Sequence, residues 1–406
     1  MTIATKYRLE RSPEPFDGSS GSWLECLTCK AQFKLAPLIY GCPHCSGVDG
    51  LKPLEMKYAK LAGEQQSPLE IGVWRWKQLL PQIPTSSRTS LGEGSTALLA
   101  IRDDQPGPRI FLKNESTNPT WSWKDRPNAV SVSAAKYFGY QHVVAISTGN
   151  HGNAMAAMAA AAGLNATVIC DENAPALQLA MMENYGAKVI RGGNANAIVL
   201  DILTRGNTYP CTIFCGRGGF SNPFGVEGFK TIAFEIWQQL GKVPDRVFVP
   251  VGSGDGIYGI WKGFRELLEQ GLVQSVPRMV ACQVTGANSL VRAFLARQSD
   301  IAPLDEAKTV ASSLAEVAVG KQALDAVYAS QGEAVEVTDD EALNAMNKIT
   351  RLGIALEPSS AVALAAIVKL KATTNFDHET WVSIGTGAAP KWPDDVMRNF
   401  RMPEIL

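Results

Sequence analysis

The sequence predicts an α/β protein built on mainly parallel sheet, with a small cysteine-rich knob near its N-terminal end. Three observations predict it. From residue 109 onward, short apolar runs alternate with amphipathic or alanine-rich segments, the order that gives parallel strands covered by helices. Two polar, glycine-containing turns each follow an apolar run and open a helical segment. Four early cysteines fall into two close pairs, a spacing unlike the rest of the chain.

The chain has 406 residues, 46% of them hydrophobic and 19% charged, the composition of an ordinary globular protein. That length is enough for two or three domains with their own cores. With 38 basic and 39 acidic residues, no global field favours nucleic acid. No apolar run is long enough to span a bilayer: the alanine-rich stretch Ala154–Ala162 is short and bounded by Asn153 and Gly163. The polar start, Met1–Pro15, has no apolar core segment, so no secretory leader is expected and the cytoplasm is the expected compartment. Cys170, Cys211, Cys215 and Cys282 are scattered among apolar residues and read as small core residues of a reducing compartment.

Residues 1–90 read as an N-terminal arm. Within it, at about residues 20–52, Cys26, Cys29, Cys42 and Cys45 are spaced C-x2-C-x12-C-x2-C. Two such pairs can set four thiolates tetrahedrally around Zn2+, and metal binding would fold a zinc-ribbon-like module too small to have a core of its own. Four thiolates leave no open position, so such a zinc would be structural. The other reading is a relic knuckle with empty cysteines; His44 is a further, weaker ligand candidate.

Beyond the arm, the expected strands are Arg109–Lys113, His142–Ile146, Ala166–Cys170, Lys188–Ile190, Arg246–Val251, Met279–Val284 and Trp381–Ile384. The expected helices are Pro127–Tyr137, Gly152–Ala162, Ala176–Tyr185, Val226–Leu240, Ile257–Gln270, Asp339–Leu352 and Ser359–Leu370.

Three segments carry chemistry. Asn118-Pro119-Thr120-Trp121-Ser122-Trp123-Lys124-Asp125-Arg126 sets a lysine at a helix start, with Asp125 as an N-cap-type acid and Pro127 in the first turn. An amine held there can join an aldehyde and later carry protons; read alone, it is a surface lysine. Ser147-Thr148-Gly149-Asn150-His151-Gly152 follows a strand and opens an alanine-rich helix, where backbone N–H groups can take a carboxylate; an ordinary capping turn looks the same. Gly252-Ser253-Gly254-Asp255-Gly256 also links strand to helix. Its glycines allow backbone amides to approach a phosphate, and its spacing is not the dinucleotide G-x-G-x-x-G.

Taken together, these segments resemble the threonine synthase group of fold-type II pyridoxal-phosphate enzymes. That group writes the lysine segment as Asn-Pro-Thr-Gly-Ser-Phe-Lys-Asp-Arg-Gly; here Trp121, Trp123 and Pro127 depart from it. The resemblance runs from about Leu91 to about Pro393. It takes in Leu91-Gly92-Glu93-Gly94-Ser95-Thr96, Asn222-Pro223-Phe224, Glu227-Gly228-Phe229-Lys230-Thr231 and Glu357-Pro358-Ser359-Ser360-Ala361.

The resemblance implies two lobes with the cofactor between them: a large one of residues 91–135 plus 225–406 and a small one of residues 136–224. It implies pyridoxal phosphate joined to Lys124, the ring oxygen beside Asn150, and the phosphate on Gly252, Ser253, Gly254, Asp255 and Gly256. Ser147, Thr148, Gly149 and His151 would line the substrate carboxylate, with Arg126, Lys113 and Lys230 as candidates for a substrate phosphate. At the pyridine nitrogen the group uses a hydroxyl from a Thr-Gly-x-Gly string. The matching stretch, Ser383-Ile384-Gly385-Thr386-Gly387, puts Ile384 at that threonine, so Ser383 or Thr386 would supply the hydroxyl, Thr386 being preferred. Trp121 would narrow the pocket or pack inside.

The implied reaction is that of a threonine synthase-like lyase: O-phosphohomoserine and water give threonine and phosphate, in a homodimer. Its substrate is a small amino acid, phosphorylated or not. The run Gly149-Asn150-His151-Gly152 also looks like strings in ammonia-lyases of the same fold. β-Elimination from serine, threonine or diaminopropionate, or cysteate synthase-like β-replacement on phosphoserine, is therefore the alternative. A non-catalytic paralogue using its knob to bind a protein partner is the reading from a different class.

Overall fold

The computed structural model describes residues 13–38, 41–47, 52–61, 70, 72–102, 106–211, 222–373 and 376–393. The chain divides into two compact units. The first joins the described residues up to Gly94 to Lys124–Thr231; the second joins Ser95–Trp123 to the described residues from Ile232 on.

The first unit holds two sheets. Strands β1 (Ser22–Cys26), β2 (Gln32–Phe33) and β3 (Leu54–Tyr58) form an antiparallel sheet in the order β2-β1-β3. Its core is small, with Leu24, Phe33, Leu54 and Met56 buried beside Cys26 and Cys42. Further along the sequence, β6 (His142–Ile146), β7 (Asn165–Cys170), β8 (Lys188–Arg191) and β9 (Thr208–Pro210) make a four-stranded parallel sheet, β8-β7-β6-β9. One face packs Val144 and Ile169 on Val199 and Leu203 of the helix Ala195–Thr204. The helix Asn150–Ala162 also packs on β6 and β7. Its first turn comes so close that a Cβ on Gly152 would lie 3.0 Å from Cγ1 of Val168 and 2.7 Å from Cε of Met182. Alternate residues of a strand face opposite ways, so Val168 and Ile169 serve the two helices in turn.

The second unit is a six-stranded sheet of β4 (Leu98–Ile101), β5 (Arg109–Asn114), β10 (Arg246–Pro250), β11 (Arg278–Val284), β12 (Glu333–Val337) and β13 (Thr380–Gly385). The order is β12-β11-β10-β13-β5-β4, parallel except for the edge pair β4–β5. Phe248, Val280, Cys282, Val284 and Trp381 share one core with the helices Asp339–Arg351 and Pro358–Lys371. Trp381 stands 5.0 Å from Phe248 and 4.9 Å from Phe376, ring centre to ring centre. Arg246 lies over Phe376 and is held by Glu333 and Glu379.

All seven expected strands and all seven expected helices form, with ends moved by no more than two residues. β4, β9, β12 and the helices Ala195–Thr204, Ser289–Leu295 and Lys321–Ala329 were not expected. β12 reads Glu-Ala-Val-Glu-Val and β9 is three residues ending in proline, patterns that local propensity disfavours and tertiary pairing overrides. Cys170, Cys211 and Cys282 are buried, as core residues should be; Cys215 and residues 1–12 of the polar start lie outside the described residues. No described helix is long and apolar enough to cross a membrane.

Candidate active site

Lys124 is half-buried and directly precedes the helix Asp125–Tyr137. The helix begins at Asp125, whose charge suits the positive end of the helix dipole, so Lys124 itself occupies the cap position. The amine of Lys124 lies 5.3 Å from the ring centre of Phe229. Phe229 belongs to the helix Gly225–Leu240, which crosses here at very short range: a Cβ on Gly228 would sit 2.1 Å from the carbonyl oxygen of Arg126. The Arg126 guanidinium is buried and donates to the hydroxyl of Thr231 at 2.9 Å. Lys230 pairs with Glu227 at 2.5 Å and stands over the ring of Tyr58. Residues 227–231 thus make the bed on which the lysine helix rests.

In the same unit, Ser147 and Gly149 lead from β6 into the helix Asn150–Ala162. The Ser147 hydroxyl accepts from the N–H groups of Gly149 (3.3 Å) and Gly152 (2.9 Å), capping the helix start. Thr148 is exposed, Gly149 and Asn150 are buried, and His151 is half-buried. Nδ1 of His151 is 3.2 Å from Nδ2 of Asn128, and that same nitrogen donates to the carbonyl of Lys124 at 2.8 Å. Burial, helped by the charge of Lys124, pushes the His151 imidazole down to about 3, so it is neutral at physiological pH. Asn128 and Phe229 were not among the sequence-level candidates; Asn128 lies one turn beyond Lys124, and that spacing was the available signal.

In the second unit, Gly252-Ser253-Gly254-Asp255-Gly256 links β10 to the fifteen-residue helix Asp255–Glu269. Gly254 has φ 99°, a left-handed conformation suited to glycine. A Cβ on Gly254 would lie 2.7 Å from that of Ala323, and one on Gly256 would lie 2.2 Å from Cη2 of Trp123. Asp255 starts the helix, where a carboxylate suits the dipole. Glycine, close approach and a helix N-terminus fit a cradle for a phosphate ester.

Thr386 follows the carboxyl end of β13. Its Oγ1 is 2.9 Å from the Ser360 hydroxyl and 3.5 Å from the buried Glu357 carboxylate. Its carbonyl accepts from the N–H of Trp123 at 2.9 Å. Ser383 and Ile384 are fully buried within the strand, and Thr386, just past its end, is buried as well; the Ser383 hydroxyl has no hydrogen-bond partner among the described residues. Trp121 is 49% exposed, so it does not pack inside a core. Its φ of 61° explains why the family prefers glycine there. Lys113 is buried and spent on Glu235 (2.6 Å), the carbonyl of Thr96 and Gln239, which removes it as a substrate ligand.

In the knob, the Sγ atoms of Cys26, Cys29, Cys42 and Cys45 all lie within 4.8 Å of one another. A tetrahedron with zinc–sulfur bonds of about 2.3 Å needs sulfurs roughly 3.8 Å apart, so the four fit a zinc ion.

The model of the family described as "Pyridoxal-phosphate dependent enzyme" matches residues 89–387. The chain belongs to that family. It is a threonine synthase-like, fold-type II member and a pyridoxal-phosphate-dependent lyase. The chain is 36% identical to the threonine synthase of Methanocaldococcus jannaschii, over 93% of its own length and 95% of that protein. It is 34% identical to that of Methanosarcina acetivorans, over 94% and 95%. Among solved structures, threonine deaminase isoform 2 of Solanum lycopersicum superposes with a TM-score of 0.64 at 20% identity, covering 84% of this chain and 93% of that one. The serine racemase of Dictyostelium discoideum gives 0.59 at 24% identity, covering 73% and 93%. These likenesses show the shared fold.

Proposed function

We propose that this lyase converts O-phosphohomoserine and water to threonine and phosphate. What carries the reading is the kinship with proteins named threonine synthase, 36% and 34% identical along more than nine-tenths of the chain. Pyridoxal phosphate, when bound, supplies an aldehyde and a ring that accepts electron density from substrate carbon. Lys124 would hold it covalently and, once displaced by the substrate amine, move protons at Cα and Cβ. Asn150 would lie at the ring oxygen, Thr386 at the ring nitrogen, and the amides of residues 252–256 on the phosphate. Ser147, Thr148, Gly149 and His151 would receive the substrate carboxylate. For the substrate phosphate, Arg126 is the candidate that remains; its burial and its bond to Thr231 mean that it would have to exchange that partner. Phosphate leaves from Cγ and water adds at Cβ.

The test is to titrate the cofactor-loaded protein separately with O-phosphohomoserine, O-phosphoserine, serine, threonine and diaminopropionate while recording its visible spectrum and products. Threonine and phosphate from O-phosphohomoserine alone support the reading. Turnover only with a substrate whose leaving group is on Cβ replaces it with elimination or replacement at that carbon.

The cysteine cluster is read as a structural zinc site, and the chain as a cytoplasmic homodimer. One zinc per chain by elemental analysis, lost together with thermal stability in Cys29→Ser, would support the first. Light scattering and cell fractionation check the second.

A further inference from the structure

Asn128 is buried on the helix that follows Lys124. Its Nδ2 meets two acceptor positions, the carbonyl oxygen of Lys124 at 2.8 Å and Nδ1 of His151 at 3.2 Å. A backbone carbonyl can only accept, so the amide must turn its NH2 group toward Lys124. The flipped amide would set oxygen against oxygen. The second hydrogen of the same NH2 group then points at Nδ1 of His151, which must accept it. In a neutral imidazole that leaves the proton on Nε2. Nε2 is buried and has no hydrogen-bond partner among the described residues. A buried N–H without an acceptor costs free energy, and the next residue back, Asn150, starts a helix whose first turn belongs to the stretch proposed above to receive the substrate carboxylate.

We infer that Asn128 sets the tautomer of His151, so that a neutral Nε2–H is presented to a carboxylate oxygen of the amino-acid substrate. Asn128 is thus a positioning residue, acting through His151, and one that also ties the backbone of the lysine segment to the substrate turn. His151 is a fixed donor in this scheme and neither gives up nor takes a proton. The substrate half of the inference rests on the function proposed above; the tautomer half does not.

The experiment is long-range 1H–15N correlation on full-length protein labelled with 15N-histidine. The sequence has four histidines, and His151→Gln identifies the signal of interest. In the cofactor-free wild-type protein, His151 should show the Nε2–H pattern. In Asn128→Asp, which has the same shape but no side-chain N–H, it should change to Nδ1–H. A wild-type Nδ1–H pattern, or an unchanged pattern in Asn128→Asp, overturns the inference whatever the enzyme's substrate is. In the cofactor-loaded protein, L-threonine should shift the Nε2–H signal and inorganic phosphate should not; the reverse overturns the carboxylate assignment.

Kinetics separates positioning from general support. Asn128→Asp should raise KM about tenfold or more in the wild-type background and clearly less in His151→Gln, where only the bond to the Lys124 carbonyl is left to lose. An equal effect in both backgrounds overturns the role. If the tautomer result holds while O-phosphohomoserine is not turned over, only the proposed reaction falls.

Discussion

The N–H of Trp123 donates to the carbonyl of Thr386 at 2.9 Å. The bond belongs to a short run of pairing in which Ser122 bridges Gly387 and the N–H of Ala388 donates to the carbonyl of Trp121. Residues 121–123 are therefore laced to the stretch just past β13, and Lys124 leaves that anchored run as the next residue. The indole of Trp123, in turn, fills the space a side chain on Gly256 would need.

Gly256→Ala should therefore disturb the lysine segment as well as the loop. A methyl group 2.2 Å from the indole forces the ring to move, at about 1–3 kcal/mol for overpacking. Both the urea midpoint and cofactor affinity should fall. Gly252→Ala, whose nearest atom is the Ser313 carbonyl oxygen at 3.2 Å, should do markedly less; equal effects would show that the loop tolerates no methyl at all and that Trp123 is not the cause.

Trp121→Gly should stabilise the fold. A non-glycine residue at φ 61° carries roughly 1–2 kcal/mol of strain, partly offset by the larger unfolded-state entropy of glycine. With the indole half exposed, little packing is lost. A gain of about 0.5–1 kcal/mol in denaturant unfolding is expected; a loss would mean that the exposed ring packs on something in solution.

Lys124→Ala should lower turnover by roughly 10²–10⁴-fold, the range for removing a positioned proton carrier. Borohydride reduction of the loaded wild-type protein, followed by peptide mass analysis, should find the cofactor on the peptide containing Lys124. Attachment at another lysine would sink the assignment.

Glu93 gives stability a pH dependence. Burial pushes its carboxyl up to about 7, against hydrogen bonds from Ser90, Leu91 and Val73. The folded state holds this proton more tightly than the unfolded one. The contribution is therefore full below about 4.5 and is lost as pH rises through about 7, by up to about 3 kcal/mol. Unfolding free energy measured from pH 4.5 to 8 should decline less steeply in Glu93→Gln than in the wild type.

Much of this was legible in the sequence because it is written locally. The apolar runs of β6 and β10 and the polar turns after them locate the strand-turn-helix units without reference to the rest of the chain. The four cysteine sulfurs converge as their spacing implies. What was not legible depends on distant partners. Nothing in residues 380–385 says that β13 inserts between β10 and β5, or that Lys113 and Lys230 are already taken by Glu235 and Glu227. For a similar reason the buried packing offered for Trp121 does not occur: its identity suggested an interior side chain, whereas it is half exposed at a backbone angle of φ 61°.

The loop at residues 252–256 has one more consequence. Its curve is enforced from behind, by Ser313 and Glu316 at the first glycine, Ala323 and Val319 at the second and Trp123 at the third. Ser253 and Asp255, between them, are half-buried. At such a site packing fixes the three glycines and the bend of main chain they make. Two chains with different letters between those glycines could thus share one course of main chain, and a comparison keyed to side-chain identity would lose the likeness before the shape was lost.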